Sequence, residues 1–166
     1  MNASEVMMSM KIEDIISEVL PDDIQKNALD FVNYLWANNM MFERGSGYWD
    51  DKYYWMVKYE DVYVCFILFG GDEVKDKSWT IWSDDSDSKW FENYPLDKHM
   101  KDVAYANVDL CGNCGSCSGG TIKTIFGRRF DNVCRTTFRF NNPDFKAIEC
   151  AKKLIEMRIN DIHRKI

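Results

Sequence analysis

Three of the six cysteines lie close together in the segment CGNCGSC, where Cys111, Cys114 and Cys117 form a C-x2-C-x2-C array. The glycines between them allow a loop in which thiolates turn inward around one ion, at about 2.3 Å from each sulfur to zinc. Cys134 belongs to a strand that we expect to return beside the strand after the loop, so it is a candidate fourth ligand. The pattern therefore predicts a structural zinc site formed by these four side chains.

Other interpretations of the cysteine array stay open. The thiols could remain free and reduced, because nothing in the spacing forces a metal. An iron–sulfur cluster is a further candidate, since the array begins like a ferredoxin run, although the fourth ferredoxin cysteine and its following proline are missing. A redox-active pair or a set of disulfides is the last. We expect Cys65, in a strand, and Cys150, in the last helix, to be ordinary buried thiols.

Aromatic residues give the second candidate site. The chain is 14% aromatic, with 6 Trp and 8 Tyr. In the strand predicted at 53–59, aromatic residues occupy both faces. Aromatics on both faces exceed what one core needs, so we expect one side to line a pocket for an apolar or cationic small molecule. The candidate lining residues are Tyr53, Trp55, Trp79 and Trp82, with Glu43, Glu60 or Glu92 as the counter-charge. Alternatively, helices and aromatic side chains simply cover the two faces.

Catalytic motifs are missing from the sequence. It contains no G-x-S-x-G, G-x-x-x-x-G-K-[ST] or H-E-x-x-H motif. The two histidines, His99 and His163, belong to no recognisable arrangement of nucleophile and base. An enzyme that uses acidic side chains in a pocket is therefore an alternative without a supporting motif, and a binding protein is the better prediction.

The charge and hydropathy of the chain limit the kinds of partner and the cellular compartment that we expect. Residues 1–110 hold 22 acids and 10 bases, whereas residues 111–166 hold 5 acids and 11 bases. The acidic majority disfavours binding to nucleic acid, whose phosphates attract basic surfaces. No apolar run approaches the roughly 18 residues of a membrane span, and the N-terminus lacks the apolar core of a secretory signal. We therefore expect a cytoplasmic protein with no membrane contact.

Helical spacing of apolar residues predicts the helices that must position these sites. Two N-terminal helices are expected, one ending at Leu20 and the other beginning at Pro21. The second turns a core face formed by Ile24, Ala28, Phe31, Val32, Leu35 and Trp36. A short helix is predicted to begin at Pro95, and a last helix is predicted with Asn142 as its N-cap and Pro143 at its first position.

Runs of aromatic and β-branched residues predict five strands, at 53–59, 62–69, 78–83, 121–126 and 133–140. Together with the helices they predict a single α+β domain over residues 1–166. Its expected architecture is an antiparallel twisted sheet of about five strands, with two N-terminal helices, one short middle helix and a C-terminal helix packed on it. The cysteine-rich loop, residues 111–120, lies within this domain.

Several local strings carry a resemblance to a known family. These are IFGRRFDNVC, FRFNNPDF and AKKLIEMR, with CGNCGSCSGG before them. With the layout above, they resemble small uncharacterised bacterial proteins of the YdhG-like kind, in a subfamily with an extra cysteine loop. Those proteins are similar in turn to GyrI-like effector-binding domains, which bind small molecules in a cleft of a twisted sheet. The resemblance implies the α+β fold and a binding role, and it carries over no catalytic residue.

The sequence thus predicts a non-enzymatic domain that binds a small molecule or a partner protein through an aromatic surface. It also predicts a metal site in the cysteine loop, with zinc favoured over an iron–sulfur cluster. The main alternative is a redox- or metal-responsive sensor in which Cys111, Cys114 and Cys117 are the working groups.

Overall fold

A computed structural model describes residues 10–45, 53–70, 78–84, 89–115 and 117–164 of the chain. The helices in these ranges are α1 (Ile12–Val19), α2 (Asp22–Ala37), α3 (Lys98–Ala106) and α4 (Phe145–Arg164). The strands are β1 (Met41–Arg44), β2 (Tyr53–Tyr59), β3 (Val62–Phe69), β4 (Trp79–Ser83), β5 (Val108–Leu110), β6 (Thr121–Ile125) and β7 (Arg128–Asn141). No helix of these described ranges is both long and apolar enough to cross a membrane.

The strands form one antiparallel sheet in the order β1-β2-β3-β4-β7-β5, with β6 also paired to β7. The first four strands follow one another as neighbours. Glu60 and Asp61, which join β2 to β3, have φ angles of 46° and 65°. Two central residues with positive φ are the requirement of a type I′ turn, whose twist matches that of the strands it connects.

Strand β7 is shared by three partners. Val133 pairs with Leu110 of β5 and with Thr121 of β6, so β5 and β6 lie on opposite edges of β7. Because β4 lies on the edge opposite β5, β6 and β4 occupy the same edge one after the other. Between them Thr137, with a φ of 67°, is fully buried and accepts a hydrogen bond of 2.6 Å from Lys123 Nζ.

The α+β class and the antiparallel sheet are confirmed, but the number of strands was wrong: the sheet has seven rather than about five. Strands β1 and β5 have four and three residues, which is too short to show a period-two pattern. Their pairing with β2 and β7 defines them instead. The last predicted strand also extends further, from Arg128 to Asn141.

The core lies between the helices and one face of the sheet. Helices α1 and α4 contact β3, and the hydroxyl of Tyr59 lies 2.8 Å from His163 Nε2 of α4. The fully buried Trp79 packs against Phe31 of α2 and Phe69 of β3, with ring centroids 6.2 and 6.3 Å away. This packing identifies the face of the sheet that the helices cover.

Two helix starts differ from the sequence prediction. Helix α3 begins at Lys98 rather than Pro95, because Asp97 Oδ1 accepts a hydrogen bond of 2.8 Å from the N–H of Met100. Helix α4 begins after Asp144, whose Oδ1 accepts from the N–H of Ala147 at 2.9 Å. Asn142 is therefore not the cap; its Oδ1 accepts a hydrogen bond of 3.2 Å from the N–H of Trp79 instead.

Candidate metal site and aromatic surface

The cysteine loop, residues 111–120, connects β5 to β6 and crosses β7 on the way. Leu110 immediately before it and Thr121 immediately after it pair with the two edges of the same residue, Val133. A connection between two strands on opposite edges of a third has to pass over that third strand. The loop therefore lies over β7 at the level of Val133, one residue before Cys134.

Both ends of the cysteine loop lie close to Asn132. The N–H of Cys111 donates to the carbonyl of Asn132 at 2.8 Å, and Asn132 Nδ2 donates back to the carbonyl of Cys111 at 3.3 Å. At the other end, a Cβ on Gly120 would lie 2.4 Å from Asn132 Oδ1 and 2.8 Å from its carbonyl oxygen. Glycine is thus needed at position 120 for the loop to approach the strand this closely.

The thiols of the loop differ in exposure and in contacts. Cys114 and Cys117 are exposed, Cys111 and Cys134 are half-buried, and all six cysteines of the chain are free thiols. The N–H of Asn113 lies 3.4 Å from Cys111 Sγ and donates to it. Hydrogen bonds to ligand sulfurs are a recurring feature of metal–thiolate centres. The Cys111 end of the loop therefore has one contact that a metal site would use.

Cys134 lies in a more polar setting than its strand position implies. Thr136 Oγ1 donates to Cys134 Sγ at 3.5 Å, and Cys134 also hydrogen-bonds the carboxyl group of Asp109 in β5. Burial raises the pKa of Asp109, while the charge of Arg139 and the bond from Cys134 act in the opposite direction. Asp109 could not be predicted from the sequence, because only the pairing of β5 with β7 brings it to Cys134.

The four predicted ligands do not form a coordination shell in the part of the chain that the structure describes. Within the described part of the chain, no three His, Cys, Asp or Glu side chains are arranged to hold a metal ion. The donor set itself suits zinc, which accepts four thiolates in a tetrahedral site. The zinc site therefore stays a prediction.

The structure separates the predicted aromatic residues into two groups. Trp55 and Trp79 are 4% and 0% exposed and belong to the core beneath the helices, and the half-buried Tyr53 lies beside Trp55 under the guanidinium of Arg44. Trp82 lies on the opposite face, half-buried, with the guanidinium of Arg139 4.9 Å from its ring centroid. The four predicted aromatic residues thus do not share one surface.

The predicted counter-charges are also dispersed. Glu43 forms an ion pair of 2.7 Å with Lys58 on the neighbouring strand. Glu60 is exposed in the turn between β2 and β3. Glu92 follows Phe91, and its carbonyl accepts a hydrogen bond of 2.9 Å from the N–H of Gly127. These contacts place none of the three carboxylates beside Trp82 or Tyr53.

A cleft that the sequence analysis missed opens between α1, α2 and β1. Its volume is about 610 Å³, and its lining residues are Lys11, Ile12, Glu13, Trp36, Phe42 and Trp55. Trp36 was predicted on the core face of the second helix, and this prediction was wrong, because its side chain is 48% exposed. Trp36 lies in the last turn of α2 beside β1, the end strand of the sheet. Helical spacing cannot reveal that the sheet ends there.

Comparison of the chain with protein-family models, with curated proteins and with solved structures finds no match. The YdhG-like resemblance remains an expectation drawn from the local strings.

Proposed function

We propose that the chain is a cytoplasmic binding protein in which Cys111, Cys114, Cys117 and Cys134 hold one structural zinc ion. The observation that carries this proposal is that both ends of the cysteine loop lie at Asn132: Cys111 is hydrogen-bonded to it, and Gly120 approaches it closely. Three thiols on the loop are thereby tethered across the strand that bears the fourth. Tethering of this kind lowers the conformational entropy that must be lost when the ligands gather around an ion.

Zinc would supply a cross-link rather than chemistry. A closed four-thiolate site has no open position for substrate. It would fasten the connection between β5 and β6 to β7, beside the hydrogen bonds that already join Cys111 to Asn132. Four thiolates and one zinc ion carry a net charge of about −2. The side chain of Arg135, next to Cys134 and exposed, offers the nearest positive charge along the chain.

The same thiols would serve the sensor alternative, and an oxidant distinguishes the two. A structural site keeps its zinc under mild oxidation. In a sensor, hydrogen peroxide would oxidise the thiolates of Cys114 or Cys117, zinc would be released, and a disulfide would form with loss of two electrons to the peroxide. Release of zinc at low peroxide with recovery on adding dithiothreitol would therefore favour the sensor over the structural site.

The proposal is tested by elemental analysis of untagged protein purified without oxygen, read beside its visible spectrum. We expect about one zinc per chain without colour. Cys134→Ser should lose most of the zinc, whereas Cys150→Ala, a thiol buried in the core, should keep it. Full zinc retention by Cys134→Ser would remove Cys134 from the site. Brown protein containing iron and sulfide, or protein without any metal, would contradict the zinc proposal.

The second part of the proposal is that exposed aromatic side chains bind a small molecule or a partner protein. Two features support it: the half-exposed Trp36 in a cleft of about 610 Å³, and Trp82 with Arg139 on the other face of the sheet. Cleft volumes of about 300–1,000 Å³ are typical of small-molecule sites. The formal net charge of −6 favours such ligands over nucleic acid.

A further inference from the structure

Five residues form one straight row across the sheet, on the face away from the helices. Each pairs directly with the next, and the row, called here the outer row, consists of Glu43, Met56, Phe66, Trp82 and Arg139. The residues next to it along the strands belong to the core, and Val57, Cys65 and Ile67 among them are each 0% exposed. Because side chains alternate along a strand, the outer row points away from that core.

The outer row is charged at its ends and apolar in its middle. Glu43 and Arg139 are exposed, whereas Met56, Phe66 and Trp82 are half-buried. Neighbouring strands are about 4.8 Å apart, so the two charged ends are separated by about 19 Å. An acid and a base at equal distances from a central aromatic ring form a pattern that is complementary to its own reverse.

The apolar middle of the outer row is widened on one side. The ring of Tyr63 stacks on that of Phe66, with centroids 6.0 Å apart, and Met41, in the same neighbouring row, is 68% exposed. The next row on the other side is buried and contains Tyr54, Leu68 and Thr80. The accessible part of this face is therefore the outer row together with Met41 and Tyr63.

We propose that a second copy of the chain packs on the outer row, about a two-fold axis that runs along β3 through Phe66. Such an axis reverses the row, so Glu43 of each copy faces Arg139 of the other. Met56 then faces Trp82, and Phe66 faces its own copy. Sheets that pack face to face keep their strands within about 30° of each other, which an axis along the strands allows.

The charges favour a second copy over an unrelated partner, because one surface supplies both members of each pair. Glu43 keeps its ion pair of 2.7 Å with Lys58, and the charge of Arg139 acts on Asp109 within the same chain. Across the axis these groups join into networks, which contribute more than isolated surface pairs do. This inference rests on the partner-protein part of the proposed function and names the partner; it depends neither on zinc nor on a small molecule.

The test is sedimentation equilibrium of the full chain between about 1 μM and 1 mM, where we expect the mass to rise toward that of a dimer. Glu43→Arg and Arg139→Glu each place like charges opposite one another at both ends of the interface. Each variant should therefore weaken dimerisation by about tenfold or more. In an equimolar mixture the introduced arginine of one chain faces the introduced glutamate of the other, and the second pair is the original one. Mixed dimers should thus form with about the affinity of the wild type.

Lys98→Glu is the matched control, a charge reversal in α3 at a side chain that is 91% exposed, and it should leave dimerisation unchanged. Thermal unfolding shows that the variants are folded, and the wild type alone tests for a dimer. A wild type that stays monomeric at about 1 mM would overturn this inference. It would leave standing the small-molecule part of the proposed function, which the cleft beside Trp36 supports, while zinc content reports on the metal part. A dimer that survives both charge reversals, or a mixture of folded variants that stays monomeric, would overturn the outer row as the interface.

Discussion

Replacing Gly120 by alanine should displace one end of the cysteine loop from β7. An alanine Cβ would lie 2.4 Å from Asn132 Oδ1, 2.7 Å from its carbonyl carbon and 2.8 Å from its carbonyl oxygen. Two of these three atoms belong to the backbone of a paired strand, so rotation of the Asn132 side chain cannot relieve the overlap. Either the loop or the strand has to move.

The expected cost follows from the size of the overlap. Insertion of one methyl group into a tightly packed site costs about 1–3 kcal/mol, and the smaller unfolded-state entropy of alanine returns about 0.4–1 kcal/mol. The free energy of unfolding should therefore fall by about 1–2 kcal/mol. For a chain of this length each kcal/mol lowers Tm by roughly 2–4 °C. We expect a decrease of about 2–8 °C, and weaker zinc binding in the same variant.

Gly112→Ala is the matched control within the same loop. A Cβ on Gly112 would meet nothing within 4 Å, so alanine there should leave Tm unchanged or raise it slightly. Both variants are compared with the wild type by urea unfolding and by thermal unfolding, without metal and with one equivalent of zinc. The same Tm for Gly120→Ala and Gly112→Ala would refute the close contact between the loop and Asn132.

Two further predictions concern buried side chains. Trp79→Ala should lower the free energy of unfolding by about 3–5 kcal/mol, because Trp79 is fully buried. Trp82→Ala should lower it clearly less. Equal losses for the two variants in urea unfolding would contradict the division of the aromatic residues between the two faces of the sheet. Iodoacetamide at about pH 8 should modify Cys114 in the metal-free native protein and spare Cys65 and Cys150, because burial raises the pKa of both buried thiols, that of Cys150 to about 12. Rapid labelling of Cys65 in the native protein would contradict its burial. Because unfolded thiols have a pKa of about 8.5, ionisation favours the unfolded state above that pH, and the free energy of unfolding should fall as the pH rises further.

The sequence was sufficient for the fold class because long elements carry strong periodicity. Helix α2 and strands β2 and β3 lie where apolar spacing predicts them. The short strands β1 and β5 do not, since their hydrogen bonds come from neighbours distant in sequence rather than from local preference. The start of α4 depends on which of two nearby polar residues, Asn142 or Asp144, caps it, and the contact of Asn142 with Trp79 decided that choice.

The residues of the candidate sites also differ in whether the local sequence can identify them. The spacing of Cys111, Cys114 and Cys117 is local, so the sequence could identify them. The contacts of Asn132 and Arg44 could not be read from the sequence. Asn132 depends on a loop that crosses its strand, and Arg44 on strand register with Trp55. Neither relation leaves a pattern in the residues next to it along the chain.

The shared edge of β7 has a consequence for the order of folding. Its first half pairs with β6 across the turn at Phe126 and Gly127, so this hairpin closes a short loop and can form within microseconds. Its second half pairs with β4, where Thr80 meets Asn141 after 60 intervening residues. Closing a loop of that length costs more chain entropy and comes later. We therefore expect the β1–β4 meander and the β6–β7 hairpin to form separately, and the rate-limiting step to be the docking of β4 onto the half of the edge that β6 leaves open.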